Sequence, residues 1–354
     1  MKKHVFVGMV FFSIILTAVL VVSAWVNAQT QKSVSMTALE QKLYQAALKE
    51  GQFNWWDQHS LKEAAIWTGA FNARYPGIKV NYFEGTQGVV TQKYLTEYKA
   101  GRATADNVSP EPLAPFKEQK LLMDLSDIIK DTNYPLQFCL KDLTGVTEEI
   151  TVNVNAYNTK LVSPQDLPRS YEDLLDPKWK GKIGIEDRLK PFLRATEYYG
   201  EQWIVDYLKK LSKQEPIFVS GSTAVVNLLN TGEFPIAIGA QLHRVIIFAA
   251  QGQPVGLVPI NPAVAATVSP VCIPITAPHP NAAKLFIRWE LTPEGQALYD
   301  KYKFAGNPLP GSGTNQSKFL EKHGVKVFSN TEWLSDNESR LEKLYQEAIG
   351  YRKK

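Results

Sequence analysis

The segment Ser170-Tyr171-Glu172-Asp173-Leu174-Leu175-Asp176-Pro177-Lys178-Trp179-Lys180-Gly181-Lys182 constrains the fold more tightly than any other part of this chain. A polar cap, a short amphipathic turn of helix, a proline break and a Trp-Lys-Gly corner follow one another without a spacer. The corner feeds an apolar run containing Ile183 and Ile185, which reads as a strand. Helix-start and helix-stop chemistry packed this closely leaves the backbone one geometry.

The same alternation continues in both directions. Residues 37–50 place Leu39, Leu43, Ala46, Ala47 and Leu48 at helical spacing, closed by Gly51. Residues 53–56 read as a buried strand, 61–74 as a helix, Pro76-Gly77 as a turn, 78–83 as a strand, 88–98 as a helix and 106–109 as a short strand. The second half repeats the pattern: strand 182–185, helix 191–211, strand 217–219, helix 224–230, strand 235–239 and helix 242–251. Two stretches, 148–157 and 255–271, are extended and apolar, and the tail from 281 is mainly helical. This predicts the α/β class, with mostly parallel sheets covered by helices on both faces. The architecture expected is two lobes joined by two hinge crossovers, with a ligand cleft between them. The boundaries are 29–155 plus 263–354 for a discontinuous first lobe and 156–262 for the second.

Residues 1–28 form a separate object: Lys2 and Lys3, an apolar run over 5–26, and the small-residue exit Val26-Asn27-Ala28. That is secretory signal architecture. The run is long enough that a retained N-terminal anchor is the alternative to cleavage near Ala28. No later run of membrane length follows. Loss of Lys2 and Lys3 lowers the net charge from +4 by two, a balance that gives no electrostatic argument for a membrane surface or for nucleic acid, and no nucleic-acid partner is expected. Two cysteines, Cys139 and Cys272, exclude a disulfide scaffold and a cysteine-rich metal site. Export permits a bridge between them, and buried free thiols are the simpler account.

The 170–185 segment resembles a signature of extracellular solute-binding proteins from bacterial ABC importers, in the branch that includes ferric-ion binders. The segment Ala277-Pro278-His279-Pro280-Asn281-Ala282-Ala283-Lys284-Leu285-Phe286, continuing to Pro293-Glu294-Gly295-Gln296, resembles a second signature of that family. The resemblance covers most of residues 38–350. It implies a periplasmic monomer that traps a small-molecule or ion ligand by hinge closure and hands it to an inner-membrane ABC permease. It implies no required cofactor, with a bound metal ion such as Fe3+ as an option, and no catalysis. A chemoreceptor partner that only signals is the reading from another class.

Open α/β sheets place ligands beyond the carboxyl ends of their strands, so the loops after strands carry the candidates. His59 and Ser60 follow strand 53–56 and open a helix, where a plain cap is the competing reading. By the resemblance, Gln58-His59 match a "gQH" whose histidine ligates iron, and Glu111 in Ser109-Pro110-Glu111 matches a metal-ligating carboxylate. Gly232-Glu233-Phe234-Pro235-Ile236-Ala237 also matches the ferric binders. There Leu242-His243 stand in place of their tandem tyrosines, and leucine offers no oxygen donor. Tyr157 sits at a crossover exit. Tyr198 and Tyr199 lie inside a helical stretch and read as packing aromatics.

Arg188 follows strand 182–185, where the ferric binders hold a companion anion. Ser222 and Thr223 follow strand 217–219 at a helix start suited to anions. Gln241, His243 and Arg244 follow strand 235–239. This inventory is more cationic than an iron cage, and an arginine fork suits a carboxylate or phosphonate. The ligand expected is therefore a small anion or an anion–metal chelate, with a tyrosine-poor metal site built on His59 and Glu111 as the alternative. Pro310-Gly311-Ser312-Gly313-Thr314 reads as a turn, His279 as exposed and His323 as a residue of a polar helix. No nucleophile elbow or paired-histidine motif points to an enzyme.

Overall fold

The computed structural model describes residues 35–265, 270–330 and 332–351. The leader predicted over 1–28 and part of the return crossover predicted over 255–271 lie outside the described residues.

The first half builds on two parallel strands, β1 (Gln52–Asp57) and β2 (Lys79–Glu84), joined by the helix Leu61–Arg74. Ser60 caps this helix and shares a reciprocal capping box with Glu63. The strand predicted over 106–109 does not form as such. Side chains take over most of the ladder: the Asp106 N–H donates to Asn54 O at 3.1 Å, but Asp106 Oδ2 accepts the Asn54 N–H at 2.6 Å and Asn107 Oδ1 accepts the Trp56 N–H at 2.9 Å. Only Val108 makes a backbone bridge, to Cys272. Asp and Asn compete in this way wherever their short polar arms reach the backbone. His279, predicted exposed, is instead mostly buried, with Nδ1 2.8 Å from Asp106 Oδ2.

A short antiparallel pair, β3 (Gly145–Val146) and β10 (Val271–Cys272), follows, with Cys139 bridged to Val146 on its other side. Cys139 and Cys272 thus lie two strand spacings apart, about 9–10 Å, beyond the roughly 7 Å that a disulfide spans. Both are free and buried. Burial pushes the Cys139 thiol up to about 12 and raises that of Cys272 as well.

The second half is a seven-stranded sheet in the order β11-β9-β4-β7-β5-β6, with β8 also on β4. Its members are β4 (Val152–Asn158), β5 (Ile183–Glu186), β6 (Ile217–Val219), β7 (Ile236–Gln241), β8 (Val255–Val258), β9 (Ala263–Ala265) and β11 (Val327–Phe328). β5, β6 and β7 are parallel, and β4 runs antiparallel to β7 with Asn153 opposite Gln241. The predicted crossover 148–157 is β4, and the predicted return stretch supplies β8 and β9. The single helix predicted over 191–211 is two, Lys190–Tyr199 and Glu201–Leu211. They break at Gly200, whose φ of 87° and ψ of 146° only glycine adopts readily.

The core under this sheet gathers Ile183, Ile185, Phe192, Ile204, Leu208, Ile236 and Ile238. It also takes in Leu334, Leu341, Tyr345 and Ile349 from the helix Glu332–Ile349. That helix thus packs with the 156–262 segment, whereas the expected boundary groups all of 263–354 with the first lobe. Gly184, between Ile183 and Ile185 on β5, faces the other side of the sheet, where a Cβ would overlap the Phe234 ring, itself only 1% exposed. Gly184→Ala should cost about 1–3 kcal/mol by overpacking, read as a lower urea midpoint at an unchanged denaturant slope.

Candidate functional site

The carboxyl ends of β5, β6 and β7 point the same way, and the start of antiparallel β4 joins them. Between these ends lies a cavity of about 110 Å³ lined by Thr151, Val152, Asn153, Glu186, Arg188, Lys190, Arg194, Ser222 and Gln241. Three of those side chains are cations.

Their positions follow from local structure. Glu186 ends β5 buried, and its Oε1 accepts from Arg188 Nε at 2.6 Å. Its Oε2 accepts the Lys190 N–H at 3.3 Å, which satisfies a free donor at the start of the helix Lys190–Tyr199. The connecting turn is tight, with Leu189 in the left-handed region at φ 53°. The helix can approach β7 because Gly239 (φ 86°) carries no Cβ, which would overlap the Pro191 ring. Lys190 and Arg194 stand four residues apart, on one helical face. Arg194 Nη1 donates to Asn153 Oδ1, and Asn153 Nδ2 donates to Gly239 O at 3.1 Å.

The electrostatics show like charges crowded together. Burial, then Arg194 and Arg188, pushes Lys190 below its ordinary range. Burial also brings Arg194 down to about 10, with Arg188 adding and Glu338 and Glu186 opposing. Ser222 opens the helix Ser222–Thr231 behind Gly221 and does not cap it with its side chain. Gln241 Oε1 accepts from Arg244 Nε at 3.3 Å, so Arg244 steadies the far wall. An anion in this cavity would meet charge-assisted donors from several elements, with the N–H groups of a helix start beside them.

Against this geometry the sequence comparison is decisive. The model of the bacterial extracellular solute-binding protein family matches residues 67–324, well over half of the chain. The chain belongs to that family.

An uncharacterised protein of Haemophilus influenzae is 28% identical to this solute-binding protein over 154 residues, 41% of this chain and 43% of that one. The match thus spans less than half the length of that relative. Iron uptake protein A1 of Synechocystis is 24% identical over 263 residues, 68% of this chain and 71% of that one. Among solved structures, Trichodesmium FutA in complex with iron and citrate has a TM-score of 0.67 at 20% identity, covering 85% of this chain and all of that one. AfuA of Actinobacillus pleuropneumoniae, with fructose-6-phosphate bound, has a TM-score of 0.55 at 21% identity, covering 85% and 99%. At those identities the structures establish the fold: α/β, in the two-lobe manner of periplasmic binding proteins.

Of the residues named from sequence, the solute-binding protein brings Arg188, Ser222 and Gln241 into one cavity, with Arg244 behind Gln241. His243 is half-buried outside the lining. Burial, then Arg244, brings its pKa down to about 4, so it stands there as neutral imidazole. Thr223 is exposed. Tyr157 lies four residues along β4 from Asn153, about 13 Å away, with its ring over Gly256. Glu111 is exposed, and its N–H donates to Thr91 Oγ1 at 2.9 Å. Ser60 is occupied as a helix cap.

His59 is only 2% exposed, set among the rings of Trp55, Trp67 and Tyr299 at centroid distances of 5.3, 5.0 and 6.0 Å. Its Nδ1 lies 2.6 Å from Asp57 Oδ1, and Nε2 is buried without a hydrogen-bond partner. Among the described residues no three His, Cys, Asp or Glu side chains lie close enough to hold a metal ion. Sequence reading missed Lys190, Arg194 and Asn153. The first two carry a legible signal, an i, i+4 pair of cations at the start of a helix that follows a strand.

Proposed function

We propose that this protein is the exported binding component of an ABC importer. It captures an anion-bearing small solute between its lobes and delivers it to an inner-membrane permease. The observation that carries the reading is the convergence of Arg188, Lys190 and Arg194 on one small cavity at the strand ends. Burial, then Arg194 and Arg188, holds Lys190 below its ordinary range, and an anion entering beside it offsets that repulsion. Recognition then needs no bond making or breaking.

The lobes we propose differ from the simplest sequence division at the carboxyl end. The helix Glu332–Ile349 goes with the seven-stranded sheet, whose core it shares. The hinge we propose then includes β4 and the segment leading to β11.

A second reading has a specific motive, since relatives of this chain are named for iron uptake or hold iron with citrate. In that case the cavity would take the chelating anion and the metal would ride with it. Native mass spectra of the purified protein before and after ferric citrate separate the two. An anion adduct without iron is the expected result. An adduct of iron mass that chelators remove would overturn it in favour of the metal reading.

A further inference from the structure

Resting on the anion reading above, we infer that the solute carries a doubly charged tetrahedral oxyanion, the head group of a phosphate monoester or a phosphonate, bound without metal.

Charge is the first argument. Arg188, Lys190 and Arg194 line the cavity, and Glu186 is the one carboxylate among its lining residues. Both Glu186 oxygens are engaged, by Arg188 Nε and by the Lys190 N–H, so Glu186 is a fixed internal counter-charge that cancels one cation. The other carboxylates nearby sit outside. Glu338 acts on Lys190 and Arg194 from the C-terminal helix without lining the cavity. Asp187 is held by the Tyr351 hydroxyl at 3.3 Å. Over the lining residues alone an excess of two positive charges is left, with Glu338 offsetting part of it from outside. A carboxylate would neutralise half of it and a phosphoryl dianion all of it.

Shape is the second. The two oxygens of a planar carboxylate are served by one arginine fork. Here donors arrive from separate directions: Arg188 from the turn after β5, Lys190 and Arg194 from successive turns of one helix, Ser222 from the head of another, and Gln241 from the end of β7. Such a set surrounds a tetrahedron. At about 110 Å³ the cavity holds a single such group, so the rest of the solute lies outside it.

Calorimetry on the whole exported protein tests this with glycerol 3-phosphate, inorganic phosphate, dimethyl phosphate (the same shape with one charge) and lactate. At pH 8 glycerol 3-phosphate should bind at least tenfold tighter than dimethyl phosphate or lactate. That preference should collapse by pH 5, as the phosphoryl dianion takes up one proton near pH 6 and becomes a monoanion. Lys190→Gln should weaken glycerol 3-phosphate more than dimethyl phosphate, a selective loss that a folding defect would not produce. Equal affinity for lactate, with Arg188→Ala abolishing both, would overturn the phosphoryl class and leave the anion reading standing. No binding of either dianionic probe at millimolar concentration would also overturn it. Binding of ferric citrate alone, indifferent to Arg188→Ala, would overturn both readings.

Discussion

Arg188→Ala protein should bind a small anionic probe at least tenfold more weakly than the parent, with its thermal midpoint hardly moved. Charge-assisted hydrogen bonds contribute about 1.5–3 kcal/mol each, which corresponds to roughly 10–150-fold in affinity. Arg188 is well suited to deliver that effect. Its side chain is 45% exposed, so it is available to a ligand, yet Nε is fixed to buried Glu186 at 2.6 Å and the fork is pre-positioned. Solvent screens Arg188, and Glu186, though buried, keeps the Lys190 N–H and the Lys190 and Arg194 charges beside it when Arg188 is removed. Arg188→Lys separates charge from geometry: it keeps the cation, loses the planar fork, and should recover only part of the affinity. Calorimetry with inorganic phosphate and with citrate as probes reads the effect. Undiminished affinity in Arg188→Ala for whichever probe binds would remove Arg188 from the site.

Much of this molecule could be read from its residues, and the failures share one cause. The strands at 52–57, 79–84, 183–186, 217–219 and 236–241 announce themselves as apolar runs bounded by Gly, Pro and helix caps, which are local signals. The break at Gly200 was equally local, and apolar periodicity continuing on both sides hid it. Residue 106 was harder. The Asp106 N–H does donate to Asn54 O at 3.1 Å, but the Asp106 carboxylate takes the Asn54 N–H that a ladder would need, and sequence does not reveal that substitution.

The site divides the same way. Arg188, Ser222 and Gln241 are candidates because ligands gather after parallel strands, a rule of topology, and the structure places them around one cavity. His59 obeys the same rule yet turns inward, because Trp67 on the following helix and Tyr299, far along the chain, close a ring of aromatics around it. Lys190 and Arg194 carried the helical spacing. What sequence lacked was the approach of their helix to β7 over Gly239, which turns two helix cations into one wall of a cavity.

The largest effect on stability should come from pH, and it should run against the usual benefit of neutral conditions. Glu148 and Glu290 are 6% and 2% exposed, and Gln296 Nε2 ties their backbones by bonding Glu148 O at 3.1 Å and Glu290 O at 3.0 Å. Burial pushes both carboxyls well above the ordinary range. Glu290 and Asp57 add to the rise at Glu148, and Asp57 adds to it at Glu290, where the Tyr299 hydroxyl at 2.7 Å and Lys303 oppose it. With folded values above the unfolded one, the two groups stabilise the fold fully only below about pH 4.3, where both states are protonated. Above that the unfolded chain ionises first, and stability falls as pH climbs toward the folded values.

Carboxylates with depressed values act in the opposite sense. Glu63 and Asp142, held down by hydrogen bonds that outweigh their desolvation, lose their smaller contributions as pH drops. The midpoint of thermal unfolding should therefore peak near pH 5 and decline by several degrees toward pH 9. A tenfold difference in proton affinity between the folded and unfolded chain corresponds to about 1.4 kcal/mol, and each kcal/mol moves the midpoint of a chain this size by roughly 2–4 °C. Glu290→Gln keeps an acceptor for Tyr299, cannot ionise, and should flatten the alkaline limb. A midpoint level from pH 5 to pH 9, or a Glu290→Gln protein that declines as steeply as the parent, would show that this pair does not govern the alkaline limb.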